Sequence, residues 1–302
     1  MNIELLVFLE GIRSPLLNTI FGLITRLGEE TVAVVILCAI FWCISKRTAY
    51  VIGISYFLSG LTVQGMKICF RIDRPWVLHP NLNPVPAALE AATGYSFPSG
   101  HTQSAAALFG SLGTQVKQKP LKAVFFLLPV LVAFSRMYLG VHTLLDTGAA
   151  LIISFLLILL TVVFYKDDVT DNIRELAIAL AMVLFAAAAI VIAAFLYSKG
   201  TIEYGYISDC LKAAGAGVGF AAGMYIERVY VRFSVKTKNL LWQVIKLILG
   251  LIGMLAIKEG LKLIIGTGLI VDTARYFLII MWITVLFPLI IKRFLSVKDT
   301  MP

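Results

Sequence analysis

Charge is scarce in this chain. Asp, Glu, Lys and Arg make up 14% of its 302 residues, where a soluble globular domain carries about 25%. With 60% hydrophobic residues and a mean hydropathy of +0.92, that deficit excludes an ordinary water-soluble fold. Imidazole is scarcer still, with three histidines in all. The four cysteines, Cys38, Cys43, Cys69 and Cys210, lie in or beside apolar stretches without metal-ligand spacing and read as small hydrophobes. No grouping of Asp, Glu and His has the spacing of a metal centre, so no metal and no cofactor are expected. The opening MNIELL lacks a basic n-region, so no cleaved leader is expected. The net charge of +9 sits in short clusters between apolar runs rather than in a basic stripe with interleaved aromatics. Nucleic acid is therefore not an expected partner.

What is present is apolar sequence in long, continuous runs. A bilayer leaves no water for unpaired backbone groups, so a spanning chain must form helices or a closed barrel. Continuous rather than alternating hydrophobicity selects helices. The length suits roughly eight to ten spans of about 20 residues, and runs at 30–45, 49–69, 99–116, 121–140, 143–165, 176–197, 208–226, 240–257 and 273–292 fit that description. Residues 4–27 carry Glu4, Glu10, Arg13 and Arg26 around Pro15, and read as amphipathic or re-entrant helices at the interface. The expected fold is an all-α, multi-pass membrane helix bundle.

Lys and Arg residues are unevenly divided between the loops. One side collects fourteen of them, in clusters around 46–47, 117–122, 166–174, 228–238 and 292–298. The other side collects six: Arg13, Arg26, Lys199, Lys258, Lys262 and Arg275. The positive-inside rule places the richer side in the cytoplasm.

Three polar clusters fall on the opposite, extracytoplasmic face. The first is Lys67 with Arg74-Pro75, where a seven-residue separation predicts two side chains on one helix face and Pro75 helps end the segment. The second is Pro98-Ser99-Gly100-His101, opening an apolar run. A helix start there offers unpaired N–H groups to a phosphate, and glycine permits close approach. The third is Ser135-Arg136 with His142 and Asp146. Four residues apart, His142 and Asp146 share a face if a helix has begun, and the carboxylate then orients the imidazole. Arg136 adds a planar fork for phosphate oxygens. Between the first two clusters, loop 71–97 carries four prolines and could cover a site.

The clusters complement one another. Phosphoryl transfer asks mainly for positioning and for neutralisation of charge on the equatorial oxygens. Lys67, Arg74 and Arg136 supply that charge without a metal, and two histidines allow one to attack phosphorus while the other protonates the leaving oxygen. Single clusters would also fit ordinary interfacial pairs and helix caps; the combination points to chemistry.

On these residues the chain resembles the type 2 phosphatidic acid phosphatase family of membrane lipid phosphatases. The family pattern Lys-x6-Arg-Pro, Pro-Ser-Gly-His and Ser-Arg-x5-His-x3-Asp reads here as KICFRIDRP (67–75), PSGH (98–101) and SRMYLGVHTLLD (135–146). The resemblance covers roughly residues 1–167 and implies a six-helix phosphatase core. It implies His142 as the nucleophile, Asp146 as its orienting carboxylate and His101 as the acid for the leaving group. Lys67, Arg74, Ser99, Gly100 and Arg136 would bind the phosphoryl group, and His79 matches no family position. Residues 168–302 depart from the compact bacterial enzymes by adding about four transmembrane helices of unknown role. Gly219 and Gly223 form a GxxxG match there, whose plain reading is packing within the chain and whose sharper reading is a homodimer through the C-terminal helices.

The expected activity is hydrolysis of a lipid phosphate or diphosphate monoester, such as a polyprenyl diphosphate, phosphatidylglycerol phosphate or phosphatidate. It would occur at the extracytoplasmic face of a bacterial cytoplasmic membrane. The alternatives are a lipid phosphotransferase using the same site and a non-catalytic lipid-binding or transport-like membrane protein.

Overall fold

A computed structural model describes residues 3–165, 172–237 and 239–295. Lys166, Lys238 and Lys298 of the charge count, and the expected division at 167/168, lie outside the described residues. Among those residues every regular element is helical. Six helical segments are long and apolar enough to cross a membrane: Lys46–Leu78, Lys119–Tyr138, Leu144–Phe164, Asn172–Ser198, Leu240–Ile265 and Leu269–Phe294. Pro15–Arg26 and Glu30–Ile44 pass the same test as a pair bent by 48°, a broken span or a re-entrant hairpin. Two of the nine expected runs are helical without reaching that length or hydropathy. One runs only from Gly100 to Gln115, and the other, Tyr204–Ile226, is diluted by Asp209, Lys212 and its glycines.

The chain forms two compact units, residues 1–34 with 54–164 and residues 35–53 with 165–302. In the first, Gly100–Ala105 packs against both Lys119–Tyr138 and Leu144–Phe164. Further along the same run, Gly110 allows close approach to Leu144–Phe164: a Cβ there would meet the Phe155 ring at 2.8 Å and Ile158 at 2.9 Å. The N-terminal helix Pro15–Arg26 is started by Ser14, whose side chain caps Leu17 N–H, and by Pro15 in the first turn. It lies on Lys119–Tyr138 through Phe21, whose ring centroid is 5.4 Å from Phe134 and 4.3 Å from Tyr138.

The second unit is built on close backbone approach and buried charge. Gly215, Gly219 and Gly223 line one stripe of Tyr204–Ile226, and a Cβ at any of them would collide with Thr273, Phe277 or Thr284 of the last long helix. The GxxxG face is thus filled within the chain. Trp42 Nε1 donates to the Ile283 carbonyl at 2.9 Å, and Trp282 Nε1 donates to that of Gly250 at 3.0 Å. Fully buried Glu227 accepts from Lys46 Nζ at 2.5 Å, from Phe233 N at 3.2 Å and from the Tyr50 hydroxyl. Next to it Arg228 pairs with Glu175 at 2.8 Å and donates to Tyr165 Oη at 2.8 Å. Charges this deep in a membrane protein are kept by such partners.

Candidate active site

Each polar cluster reaches the site through a local break in helical structure. The Lys46–Phe70 helix ends before Arg71, which adopts a left-handed φ of 51°. Arg74 then lies extended (φ −68°, ψ 151°) ahead of the short Pro75–Leu78 helix. Lys67 and Arg74 therefore do not leave one helix face, as their spacing predicts. Pro75 disfavours helical backbone at Arg74, and the turn at Arg71 re-aims the chain. The two cations converge instead by gripping one loop. Lys67 Nζ donates to the Tyr95 carbonyl, while Arg74 Nε donates to Gly94 O at 2.9 Å and Nη2 to Thr93 O.

Ser99 is the N-cap of the helix beginning at Gly100, with its Oγ accepting from Thr102 N and Thr102 Oγ1. Pro98 thus precedes the cap rather than occupying the first turn. The first backbone bond of this helix is Gln103 N to Ser99 O. The N–H groups of Gly100 and His101 precede it, in the geometry that receives an anion. Ser99 N donates to the Asp146 carbonyl at 3.0 Å, tying the second cluster to the third. His101 Nε2 is buried with no hydrogen-bond partner among the described residues.

The third cluster spans the turn between Lys119–Tyr138 and Leu144–Phe164. Gly140 makes this turn possible at φ +78°, where a Cβ would also press on Arg13 and Pro84. His142 precedes the helix start, so it and Asp146 are brought together by the cap rather than by a helical face. Thr143 N donates to Asp146 Oδ2 at 2.7 Å and Asp146 N donates to Thr143 Oγ1 at 3.3 Å, a reciprocal capping box. The same Oδ2 lies 3.5 Å from His142 Nδ1 and accepts from Ser96 Oγ at 2.7 Å.

The protonation of His142 follows from its neighbours. Arg74 Nη1 lies 2.8 Å from His142 Nε2, and arginine has no acceptor, so Nε2 presents its lone pair. Burial first, then the charges of Arg74, Arg136 and Lys67, hold this imidazole well below its ordinary 6.5. It is neutral, with its proton on Nδ1 toward Ser96 and Asp146. The lone pair of Nε2 faces the cations.

Arg136 is 1% exposed and donates through Nη1 to Thr25 Oγ1 at 3.0 Å, while its Nε and Nη2 are buried without partners among the described residues. All eight residues singled out in the sequence therefore lie in one unit and around one locus; His79 is exposed. Three buried cations, Lys67, Arg74 and Arg136, against one buried carboxylate, Asp146, and the half-buried Glu29 beside Arg136 leave positive charge in excess among the described residues, which suits an anion. Ser96, Thr143 and Thr25 are the members that sequence reasoning missed. Only Thr143 had a visible signal, the Thr-x-x-Asp spacing of a capping box. Loop 71–97 does cover the locus, with Leu82, Val85, Ala88 and Ala92 buried and Val85 N bonded to Leu139 O at 3.0 Å. Among the described residues no three of His, Cys, Asp and Glu are grouped to hold a metal ion.

Comparison with known proteins gives matches to two family models and to solved structures. The family model of the PAP2 superfamily matches residues 48–170. A second model, the transmembrane extension of PAP2 superfamily phosphatases, matches residues 211–298. No curated protein matches the chain. Among solved structures, Aquifex aeolicus LpxE is similar at 27% identity with a TM-score of 0.48, covering 53% of this chain and 94% of its own. The first transmembrane PAP2-type phosphatidylglycerolphosphate phosphatase from Bacillus subtilis is similar at 23% identity and a TM-score of 0.46, covering 55% and 86%. The three-part signature and the two family models make this chain an integral membrane protein of the PAP2 superfamily, carrying the transmembrane extension found in phosphatases of that family.

Proposed function

We propose that the chain hydrolyses a phosphate or diphosphate monoester of a membrane lipid through a phosphohistidine, without a metal, at the extracytoplasmic face of a bacterial cytoplasmic membrane. The observation that carries the reading is the buried Arg136 guanidinium, which has two nitrogens without a partner among the described residues, in the same cluster as an imidazole whose Nε2 lone pair faces Arg74. A phosphoryl group fills both needs. Its equatorial oxygens accept from Arg136, Arg74, Lys67, Ser99 Oγ and the N–H groups at Gly100 and His101.

In the first step His142 Nε2 forms a bond to phosphorus as the ester or anhydride P–O bond breaks, and His101 gives its proton to the departing oxygen. Burial first, then the charges of Arg136, Arg74 and Lys67, push the His101 imidazole down to about 3, and an anion bound among those cations offsets their part of that effect. In the second step water attacks phosphorus, the N–P bond breaks, His101 takes the water's proton and phosphate leaves. Asp146 steadies the imidazolium-like Nδ1 side throughout. The uneven loop charges support the assigned membrane side. Residues 168–302 are proposed as a second, non-catalytic region, and a homodimer through its helices would need a face other than the glycine stripe.

The deciding experiment compares wild type with His142→Ala, purified without added metal, on a panel of lipid phosphates. Phosphate release confined to wild type is expected. Release at an unchanged rate in the variant would overturn the assigned nucleophile. Transfer of label to a second lipid with no free phosphate would instead make the enzyme a phosphotransferase.

A further inference from the structure

The bent N-terminal helix pair lies outside the matched family segment, which begins at residue 48, yet its bend touches two site residues. The bend falls between Pro15–Arg26 and Glu30–Ile44. Thr25 stands one residue before the end of the first helix and is 8% exposed. Its Oγ1 is the acceptor for Arg136 Nη1 at 3.0 Å, and among the described residues no other hydrogen bond holds that guanidinium. Gly28 follows three residues later. A Cβ there would stand 2.5 Å from the His101 carbonyl oxygen and 3.0 Å from His101 Cβ, so the turn is pressed directly onto the helix start that carries His101. Glu29 is close enough for its carboxylate to act on Arg136 electrostatically.

We propose that the Thr25–Glu29 turn is a positioning element of the active site, with Thr25 acting through Arg136 and Gly28 setting the height of His101. The proposal rests on the phosphate-binding reading of Arg136 above. An arginine side chain has four soft torsions and loses much rotamer freedom when fixed. One buried, charge-assisted bond to a helix-borne hydroxyl selects a single fork orientation, leaving Nε and Nη2 turned to the anion. A β-branched threonine is suited to this because its χ1 is itself restricted in a helix. Gly28 does the complementary work, since any side chain would push the Gly100–His101 segment away and shift the N–H groups that face the phosphate.

The test uses the full-length protein in detergent with a lipid phosphate that wild type hydrolyses, and inorganic phosphate as the competing probe. Thr25→Val keeps the shape and removes the acceptor; a bond to a charged group is worth about a tenfold effect or more. The expected result is a loss of about tenfold in kcat/KM and a comparable weakening of phosphate inhibition, in a protein that still unfolds cooperatively. Thr25→Ser should return to within about threefold of wild type. In an Arg136→Lys background the Thr25→Val effect should vanish, because the partner is gone.

A well-folded Thr25→Val with wild-type kcat/KM and phosphate inhibition would overturn the proposal, as would full additivity with Arg136→Lys. Should the valine variant not fold, Thr25→Ala against Thr25→Ser carries the same comparison, with equal activities counting against it. Arg136→Ala separates the two readings. If that variant keeps wild-type phosphate inhibition, the assignment of Arg136 fails; if it loses inhibition while Thr25→Val does not, only the role of Thr25 fails.

Discussion

Ser96 Oγ donates to Asp146 Oδ2 at 2.7 Å, closer than the 3.5 Å separating that oxygen from His142 Nδ1. Ser96 Oγ is itself 3.4 Å from Nδ1. The serine thus stands between carboxylate and imidazole, able to accept from Nδ1–H while donating to Asp146. It is 1% exposed, and its backbone N–H is bonded to Ile72 O at 2.8 Å, so it is not free to swing away.

Ser96→Ala should therefore lower kcat by about 3- to 30-fold with little change in KM, since one buried hydrogen bond is worth roughly 0.5–2 kcal/mol. Asp146 keeps its bond to Thr143 N in this variant, so folding is expected to be intact. The check is a kcat and KM comparison alongside a melting curve. An effect confined to KM would place Ser96 in substrate binding instead.

The state of His142 makes a pH prediction. Burial, Arg74, Arg136 and Lys67 hold the folded imidazole well below 6.5, while the unfolded chain titrates near that value. The unfolded state then takes up the proton first. The stability this group contributes is present above pH 6.5 and is lost as the pH falls from there toward the folded pKa. Melting temperatures should decline between pH 7.5 and 5.5 more steeply for wild type than for His142→Asn. Equal slopes would mean that the native site tolerates the imidazolium.

Arg74 carries two tasks in one planar group. It bonds the carbonyls of Gly94 at 2.9 Å and Val141 at 3.1 Å as well as that of Thr93, and it meets His142 Nε2 at 2.8 Å. A lysine ammonium is a point donor and cannot span these directions. Arg74→Lys is expected to cost at least about 100-fold in kcat/KM, combining lost charge placement with a loosened loop. Limited proteolysis should also cut the 79–95 segment faster than in wild type. A loss of activity with unchanged proteolysis would confine Arg74 to the chemistry.

Much of this site was legible before any coordinates. Lys67, Arg74, Ser99, His101, Arg136, His142 and Asp146 are all polar where the surrounding sequence is apolar, and that contrast carries information in a membrane protein; Gly100 was picked out by its place at a helix start. The helix class was equally plain, because continuous apolar runs have one solution in lipid. What was not legible depends on backbone departures from the period. Arg71 turns left-handed and so separates Lys67 from Arg74 as helical neighbours, and a capping box rather than a helical face joins His142 to Asp146. Thr25 and Ser96 were invisible for another reason. A small hydroxyl residue in a helix or loop has many ordinary uses, and only a partner distant in sequence reveals which one applies.

Glu227 and Lys46 in the second unit make a separate prediction about stability. The carboxylate is fully buried and the ammonium keeps 25% of its side-chain surface exposed. Removing one member of a buried pair is costly chiefly through the charge left behind, and here the two residues would leave different charges behind. Lys46→Met strands a buried anion with only Tyr50 and Phe233 N for support. It should cost about 3–5 kcal/mol. Glu227→Gln leaves a lysine that can extend its head group toward water and still reach the Phe233 carbonyl. That change should cost only about 1–2 kcal/mol. The double variant is expected to be more stable than Lys46→Met alone, because no uncompensated charge remains inside. Denaturant or thermal unfolding of the three proteins in one detergent checks the order. If Glu227→Gln proved the more damaging of the two, the carboxylate's bonds to Tyr50 and the backbone, rather than its pairing with Lys46, would be what holds this part of the unit together.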